Sequence, residues 1–254
     1  MSGALYADDT GEGDSALVLL HGFAGSHRVW NSVRKRLPNG LRIVAYDLPG
    51  HGRSVDLPGA GRAKATAQAI IDDLAIRGIA RTHMAGHSFG GAVAVLVAHF
   101  APQTVSSLAL LAPGGMGPEI AGDLMMARAF AGTNAEIAAA MHGMFGPQGN
   151  TPAVSEAEAT ALNTIPGQRE KLIEIAQTIV RDGRQGAFPR SMLEALSVPV
   201  HIAWGAEDVV LPPHQAMNAP GTFILHMLEG CGHMLPEEKP DDVARIIMES
   251  MGVV

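Results

Sequence analysis

The sequence predicts an α/β fold, in which a mostly parallel sheet has helices on both faces and carries an inserted helical segment. Short apolar runs rich in Val, Ile and Leu alternate with longer segments of helical periodicity, as in parallel strands joined by crossover helices. Between Met116 and about Arg190 the strand pattern stops, and Ala, Met, Gly and Glu recur at helical spacing. Of the 254 residues, 47% are hydrophobic and 17% charged, which excludes disordered and fibrous classes.

Six apolar runs are the candidate strands, and the first dozen residues are a weaker candidate for a short edge strand. The six runs are residues 16–20, 42–46, 83–85, 105–111, 200–204 and 223–228. We expect these runs to form the sheet and the segments between them to cross over it.

The crossover segments have the periodicity of helices that cover a sheet. In residues 63–76 one face carries Ala67, Ile70, Ile71 and Leu74, and the other largely carries Asp72, Asp73 and Arg77. Residues 240–251 begin with Pro and two acids beside the positive end of the helix dipole and form the expected closing helix.

The inserted segment is expected to contain three helices, at residues 119–130, 135–145 and 169–181. The chain then divides into a core of residues 1–115 and 191–254 and a helical cap of residues 116–190.

Charge and cysteine content narrow the expected partners. Eighteen Lys and Arg against 25 Asp and Glu give a formal charge of −7, which disfavours nucleic acid. Cys231 is the single cysteine, so the chain forms no internal disulfide, and a cytoplasmic location is expected. The start is acidic, and no stretch reaches the ~20 apolar residues of a membrane span, so we expect neither a signal peptide nor a membrane partner.

The candidate nucleophile is Ser88, in the run Gly86-His87-Ser88-Phe89-Gly90 between a short strand and the apolar segment 92–100. A Gly-X-Ser-X-Gly run between a strand and a helix is typical of a nucleophile elbow, which presents the hydroxyl at a helix N-terminus. Serine is a weak nucleophile at neutral pH, so it needs a neighbouring base and a group that orients the base.

His233 and Asp208 are the candidate base and acid. Each follows a predicted strand, and the order Ser, Asp, His along the chain fits an elbow of this type. Glu207 is a neighbouring rival for the acid. Asp47, a second rival, precedes Ser88, and a structural role in its own loop is favoured for it.

Two backbone N–H groups are the candidate oxyanion hole. One belongs to Phe89, directly after the nucleophile, and the other to Phe23, in the glycine-rich loop after the strand at residues 16–20. Gly22 lets that loop approach substrate closely, and His21 is expected to hold the loop in place by hydrogen bonds.

No metal ion or other cofactor is expected. His83 and His87 are four residues apart, but the elbow breaks any helix between them and no H-E-X-X-H pattern is present. The glycines near Ser88 match neither a P-loop nor a dinucleotide-binding pattern. Cys231, between two glycines, is interpreted as a small space-filling residue.

The inserted segment is rich in methionine, whose flexible thioether suits an adaptable apolar pocket. The candidate pocket residues are Met116, Met125, Met126, Met141, Phe145 and Val209.

Taken in order, the segments HGFAG, DLPGHGRS, GHSFGG, WGAED and GCGHMLPEEKP resemble those of the α/β-hydrolase fold superfamily. This resemblance covers roughly residues 16–113 and 198–251 and implies about eight strands, a helical cap and a Ser-His-Asp triad. Within the superfamily, the run LLAPGGMGPEI resembles the hydrolase-like domain of acetoin dehydrogenase acyltransferase subunits. Carbon–carbon bond hydrolases and short-chain esterases are less closely similar, and Ser88 argues against the dehalogenases, which have Asp at the elbow.

The resemblance and the residues together favour a serine hydrolase that acts on an ester, thioester or related activated carbonyl of a small, largely apolar molecule. The alternative is a carbon–carbon bond hydrolase, which would need a cation for a substrate carboxylate. Arg128 and Arg190 are the candidates, although such side chains more often face solvent. A non-catalytic small-molecule receptor on the same fold is the third hypothesis.

Overall fold

A computed structural model describes residues 4–147 and 151–253, and within these residues seven strands form one sheet. The strands are β1 (Ala7–Thr10), β2 (Ser15–Leu20), β3 (Ile43–Tyr46), β4 (Arg81–His87), β5 (Val105–Leu111), β6 (Val200–Gly205) and β7 (Ile224–Leu228). Their order is β1-β3-β2-β4-β5-β6-β7, with β1 antiparallel to β3 and the other neighbours parallel.

Ten α-helices surround the sheet in the described residues. They are α1 (Asn31–Arg34), α2 (Ala63–Ile76), α3 (Phe89–Phe100), α4 (Gly122–Phe130), α5 (Asn134–His142), α6 (Ala153–Asn163), α7 (Gln168–Ile179), α8 (Arg190–Glu194), α9 (Leu235–Glu238) and α10 (Pro240–Met251). Helix α3 packs against α2 and the central strands, and α10 packs against β5, β6 and α1. None of the helices in the described part of the chain combines the length and apolarity needed to cross a membrane.

The predicted α/β class, the six predicted strands and the N-terminal edge strand are confirmed. The strand number implied by the resemblance is about one too high, because β1 and β7 occupy the two edges and no described segment pairs beyond either. The central strands are fully buried, as in β3 and β6, because helices cover the sheet.

Helix α2 has the predicted bounds, but its predicted polar face is wrong at Asp73. That side chain is buried, and its carboxylate accepts a hydrogen bond from Tyr46 Oη at 2.7 Å and pairs with Arg77 Nε at 2.5 Å, which offsets the cost of burying it. A buried carboxylate with two donors is stable where an unpaired one would not be.

Helices α4 to α8 lie between β5 and β6, where the sequence predicts the insertion. Three of them match the predicted helices with shifted ends, and α5 stops at His142, with Gly143 as its C-cap. Helix α6 is not predicted by the sequence, since its inward face is built from small residues such as Ser155 and Ala159 and gives a weak apolar period. The division into core and cap stays a prediction.

Candidate active site

Ser88 lies in a strained turn between β4 and α3. Its φ of 53° and ψ of −117° are uncommon for any residue except glycine. A Cβ on Gly86 would collide with the carbonyl oxygen of Gly90, and a Cβ on Gly90 would collide with that of Leu20. The two glycines therefore allow the tight turn that presents Ser88 to a cavity.

His233 bridges Ser88 and Asp208. Its Nε2 is 3.0 Å from Ser88 Oγ, and its Nδ1 is 2.8 Å from Asp208 Oδ2. His233 and Asp208 are each 4% exposed, so the pair is shielded from water. Asp208 Oδ1 accepts the backbone N–H groups of Val210 and Leu211 at 2.8 and 2.9 Å, which fixes the carboxylate. The structure thus brings together the three side chains that the sequence selects.

Neither rival acid contacts the His233 ring. Glu207 instead accepts the backbone N–H groups of Gly230 and Cys231, at 3.2 and 2.9 Å, and so fixes the loop that carries the imidazole. Asp47 accepts from the backbone of His27 at 2.8 Å. Burial alone would raise the pKa of Asp47, but hydrogen bonds led by that from the His27 ring lower it to about 2.

Two side chains that position His233 are missed by the sequence analysis. His87 Nε2 donates to the carbonyl oxygen of His233 at 2.8 Å, and burial lowers the pKa of His87 to about 3, so this ring is neutral. The Glu238 carboxylate accepts three backbone N–H groups at 2.9 to 3.1 Å, those of Gly146, Gly232 and Met234. Glu238 lies within GCGHMLPEEKP, but the spacing alone does not show what its carboxylate binds.

The backbone N–H groups of Phe23 and Phe89 donate no hydrogen bond to the residues that the structure describes, and both residues line the cavity at Ser88. The Phe23 loop is fixed by His21, as expected. His21 Nδ1 donates to the Gly22 carbonyl at 2.7 Å, and its Nε2 accepts the Leu48 N–H at 3.0 Å. Burial lowers the pKa of His21 to about 4, so the ring is neutral at pH 7.

The cavity beside Ser88 has a volume of about 290 Å³ and a mostly apolar wall. Its wall includes Ile120 and Met125, from the region of α4, together with Phe188 and the α7 residues Thr178 and Ile179. Among the described residues that line it there is no Asp, Glu, Lys or Arg. The wall therefore suits an uncharged, apolar group.

Of the six candidate pocket residues, Met125 lines this cavity, and the side chains of the other five lie elsewhere. Met116 is buried in the main core, and Met126 packs with the α7 residues of a separate cluster. Met141 and Phe145 belong to a separate small cluster, and Val209 is 56% exposed and lines a different pocket together with Phe145.

The two candidate cations do not line the cavity. Arg190 is exposed and pairs with Glu194 at 2.8 Å. Arg128, expected at the surface, is instead 2% exposed. Its Nη1 donates to Asn163 Oδ1 at 3.1 Å, and its Nη2 has no hydrogen-bond partner among the described residues. Burial lowers the pKa of Arg128 to about 10, so the buried side chain is still a cation at pH 7.

His83 and His87 bind different partners, since His83 Nδ1 is 2.8 Å from Ser107 Oγ whereas His87 bonds to the His233 backbone. Cys231 is fully buried, and burial raises the pKa of its thiol, so it stays protonated. The burial of Cys231 agrees with its interpretation as a small space-filling residue.

Comparison with known proteins gives curated relatives that include acyltransferase components and hydrolases. The chain is 32% identical over 233 residues to the dihydrolipoyllysine-residue acetyltransferase component of the acetoin cleaving system of Pseudomonas putida, covering 92% of this chain and 62% of that protein. It is 26% identical to a 2-hydroxy-6-oxononadienedioate/2-hydroxy-6-oxononatrienedioate hydrolase of Burkholderia vietnamiensis, and the match covers 96% of this chain and 90% of that hydrolase. The chain spans less than two thirds of the acetyltransferase components it matches.

Among solved structures, a variant of CumD, the meta-cleavage product hydrolase of Pseudomonas fluorescens IP01, is similar with a TM-score of 0.84. It is 20% identical, and the match covers 98% of this chain and 95% of CumD, so it shows a shared fold. Residues 17–246 match the pattern of the alpha/beta hydrolase family. The chain therefore belongs to the alpha/beta hydrolase family.

Proposed function

We propose that this protein is a serine hydrolase that cleaves an ester or thioester of a small, largely apolar acyl group. The observation that carries the proposal is the position of His233, whose two ring nitrogens lie 3.0 Å from Ser88 Oγ and 2.8 Å from Asp208 Oδ2. This arrangement has the geometry that general-base activation of a serine requires.

In the proposed mechanism His233 Nδ1–H donates to Asp208, which leaves the lone pair of Nε2 free to accept the Ser88 proton. The Ser88 oxygen then forms a bond to the substrate carbonyl carbon. The imidazolium returns the proton to the departing alcohol or thiol, and an acyl-enzyme remains. Water, deprotonated by the same nitrogen, attacks the acyl carbon and releases the carboxylic acid with regeneration of Ser88.

The N–H groups of Phe23 and Phe89 are proposed to bind the oxyanion of each tetrahedral intermediate. Donors fixed in place need no reorganisation when the charge develops, and one such donor is worth roughly 2.7–4 kcal/mol of barrier in measured cases. The His21 ring supports this role, because its two backbone hydrogen bonds hold the loop that carries Phe23.

The cavity supports an uncharged, apolar acyl group. Its volume is about 290 Å³, and no formally charged side chain lines it in the described part of the chain. Helices α4 and α7, which contribute Met125, Thr178 and Ile179, are proposed to act as the cap that closes over the acyl group. Thioesters are included because a relative is named as an acetyltransferase component for dihydrolipoyllysine residues, whose acyl acceptor is a thiol.

Cleavage of a carbon–carbon bond is the second candidate, because related hydrolases act on oxononadienedioates. A dianionic substrate of that class would need a cation near Ser88, and neither Arg128 nor Arg190 lines the cavity. The ester or thioester reaction is therefore the better supported of the two.

The first experiment labels the protein with a fluorophosphonate and locates the adduct by mass spectrometry. We expect one adduct at Ser88, none in Ser88→Ala, and normal labelling in Ser191→Ala, a matched control at an exposed serine. Absence of any adduct in folded wild-type protein would favour the non-catalytic receptor.

The second experiment compares turnover of nitrophenyl esters and acyl thioesters of increasing chain length with turnover of a ring-cleavage dienone carboxylate. We expect the esters or thioesters to be preferred. Preference for the dienone would replace this proposal with the carbon–carbon reaction.

A further inference from the structure

A second group of chemically active side chains lies on the sheet away from Ser88. His201 is the second residue of β6, and His226 lies on the neighbouring β7, where it pairs with Ala203. Residues two apart along a strand share a face of the sheet, so the two imidazoles project toward the same side. Glu249, from the last turn of α10, joins them, and these three residues are called the His–His–Glu cluster.

The three potential ligand atoms of the cluster face one another. His201 Nδ1 and His226 Nε2 share a hydrogen bond at 3.0 Å, and Glu249 Oε2 is 3.8 Å from each of them. A separation of 3.8 Å is too long for a hydrogen bond, and Oε2 makes no other hydrogen bond to a described residue. An acceptor oxygen is therefore directed at two nitrogens without bonding to either.

The size of this triangle matches the bond lengths of a transition metal. A triangle with one side of 3.0 Å and two of 3.8 Å has its centre about 2.1 Å from each corner, and zinc bonds to imidazole nitrogen and carboxylate oxygen are about 2.0–2.2 Å. A shift of the Glu249 oxygen by a few tenths of an ångström would shorten the two long sides to the roughly 3.4 Å expected for tetrahedral bonding. The two imidazole nitrogens would have to separate by a similar amount, which breaks the hydrogen bond between them.

We propose that His201, His226 and Glu249 form a binding site for one divalent transition-metal ion, with Zn²⁺ as the best-fitting occupant. Two imidazoles and one carboxylate suit zinc, copper, nickel and cobalt, whereas calcium and magnesium prefer oxygen ligands. Three protein ligands leave the remaining coordination positions to water.

The surroundings of the cluster favour an accessible and preorganised site. The side chains of His201, His226 and Glu249 are 9%, 15% and 29% exposed, so an ion can enter from solvent past the carboxylate. Arg245 Nη1 holds the other Glu249 oxygen at 2.6 Å, which fixes the carboxylate and leaves Oε2 for the metal. The positive charge of Arg245 opposes a cation, but Asp242 Oδ1 at 3.2 Å partly neutralises it.

Bound metal would connect the last helix to the edge strand of the sheet. The ligands come from three separate elements, β6, β7 and α10, so folding is needed to bring them together and binding stabilises the folded state. His201 lies at the start of β6, whereas Asp208 follows the other end of that strand. We therefore expect metal to change stability and not the chemistry at Ser88.

The test titrates chelator-treated protein, freed of any affinity tag, with ZnCl₂ and with CoCl₂. Calorimetry gives the stoichiometry and Kd, visible absorption of Co²⁺ reports the coordination, and thermal denaturation reports Tm. The variants are His226→Gln and Glu249→Gln, each checked for folding by circular dichroism. His214→Gln is the matched control, because His214 lies 3.7 Å from Glu119 without a second histidine.

We expect one Zn²⁺ per chain, a raised Tm with Zn²⁺, and an absorption band of bound Co²⁺. Each cluster variant should weaken Zn²⁺ binding at least tenfold and lose the Tm increase, whereas His214→Gln should behave as the wild type. If one of the two cluster variants does not fold, Zn²⁺ binding by the other variant still tests the proposal. Equal Zn²⁺ affinity of the wild type and Glu249→Gln would overturn the proposal. So would a loss of Zn²⁺ affinity in His214→Gln equal to that of the cluster variants.

Discussion

Asp208→Asn is the substitution for which the structure gives the most detailed expectation. In the wild type, Asp208 Oδ1 accepts two backbone N–H groups at 2.8 and 2.9 Å, while Oδ2 faces His233 Nδ1. In Asp208→Asn the amide oxygen must accept the two backbone N–H groups. In the flipped orientation the amide NH₂ would face those N–H groups, and each hydrogen bond lost in this way would cost about 1–3 kcal/mol. The introduced amino group therefore faces Nδ1.

A donor facing Nδ1 selects the wrong tautomer of His233. Nδ1 must then accept, the proton moves to Nε2, and Nε2 can no longer take the proton of Ser88. In a serine protease the same change lowers kcat about 10⁴-fold, which corresponds to about 5 kcal/mol of barrier. We expect a loss of 10³–10⁴-fold here.

The assay measures kcat/KM for a nitrophenyl ester, together with Tm to confirm that the variant is folded. Glu207→Gln is the control, because Glu207 is the adjacent carboxylate and contacts backbone N–H groups rather than the imidazole. We expect it to lose less than tenfold. Retention of more than a tenth of the activity by folded Asp208→Asn, or a comparable loss in Glu207→Gln, would refute this reasoning.

Three further substitutions test the turn, a buried acid and the cavity. Gly90→Ala should prevent stable folding, because its Cβ meets the carbonyl oxygen of Leu20, and a normal Tm would contradict the described turn. Burial raises the pKa of Glu237 to about 7, so the folded protein holds a proton that the unfolded chain releases, and stability falls as pH rises from 4.5 to 7. Glu237→Gln should therefore raise Tm over wild type much more at pH 8 than at pH 4.5, and its gain in the free energy of unfolding at pH 8 should be at most roughly 3 kcal/mol. Equal Tm shifts at both pH values would argue against the raised pKa. Met125→Ala should increase kcat/KM for long relative to short acyl esters severalfold, whereas Met126→Ala, one residue along and outside the cavity, should leave that ratio unchanged.

Much of the site could be predicted because its residues follow strands. Ser88 is marked by glycines that the turn requires, and Asp208 and His233 follow β6 and β7 in the order that such an elbow demands. In parallel sheets the carboxyl ends of the strands meet at one edge, so position along the chain already predicts proximity there.

The pocket wall could not be predicted in the same way. Met125 lines the cavity and Met126 does not, because successive residues on a helix point about 100° apart and the rotation of α4 is set by packing. The sequence composition identified a methionine-rich segment, but it could not show which methionine side chain lines the cavity.

Contacts between different structural elements could not be predicted from the sequence either. The burial of Asp73 depends on Tyr46 and Arg77, and the His–His–Glu cluster depends on the register of β6 against β7 and on the packing of α10. No local pattern in the sequence encodes these contacts.

The crystal structure of the protein after reaction with a fluorophosphonate tests the central claim most directly. We predict phosphorus bonded to Ser88 Oγ, a phosphoryl oxygen about 2.7–3.1 Å from the N–H groups of Phe23 and Phe89, and His233 still between Ser88 and Asp208. Phosphorus on another residue, or a phosphoryl oxygen beyond hydrogen-bonding distance of both N–H groups, would contradict the account.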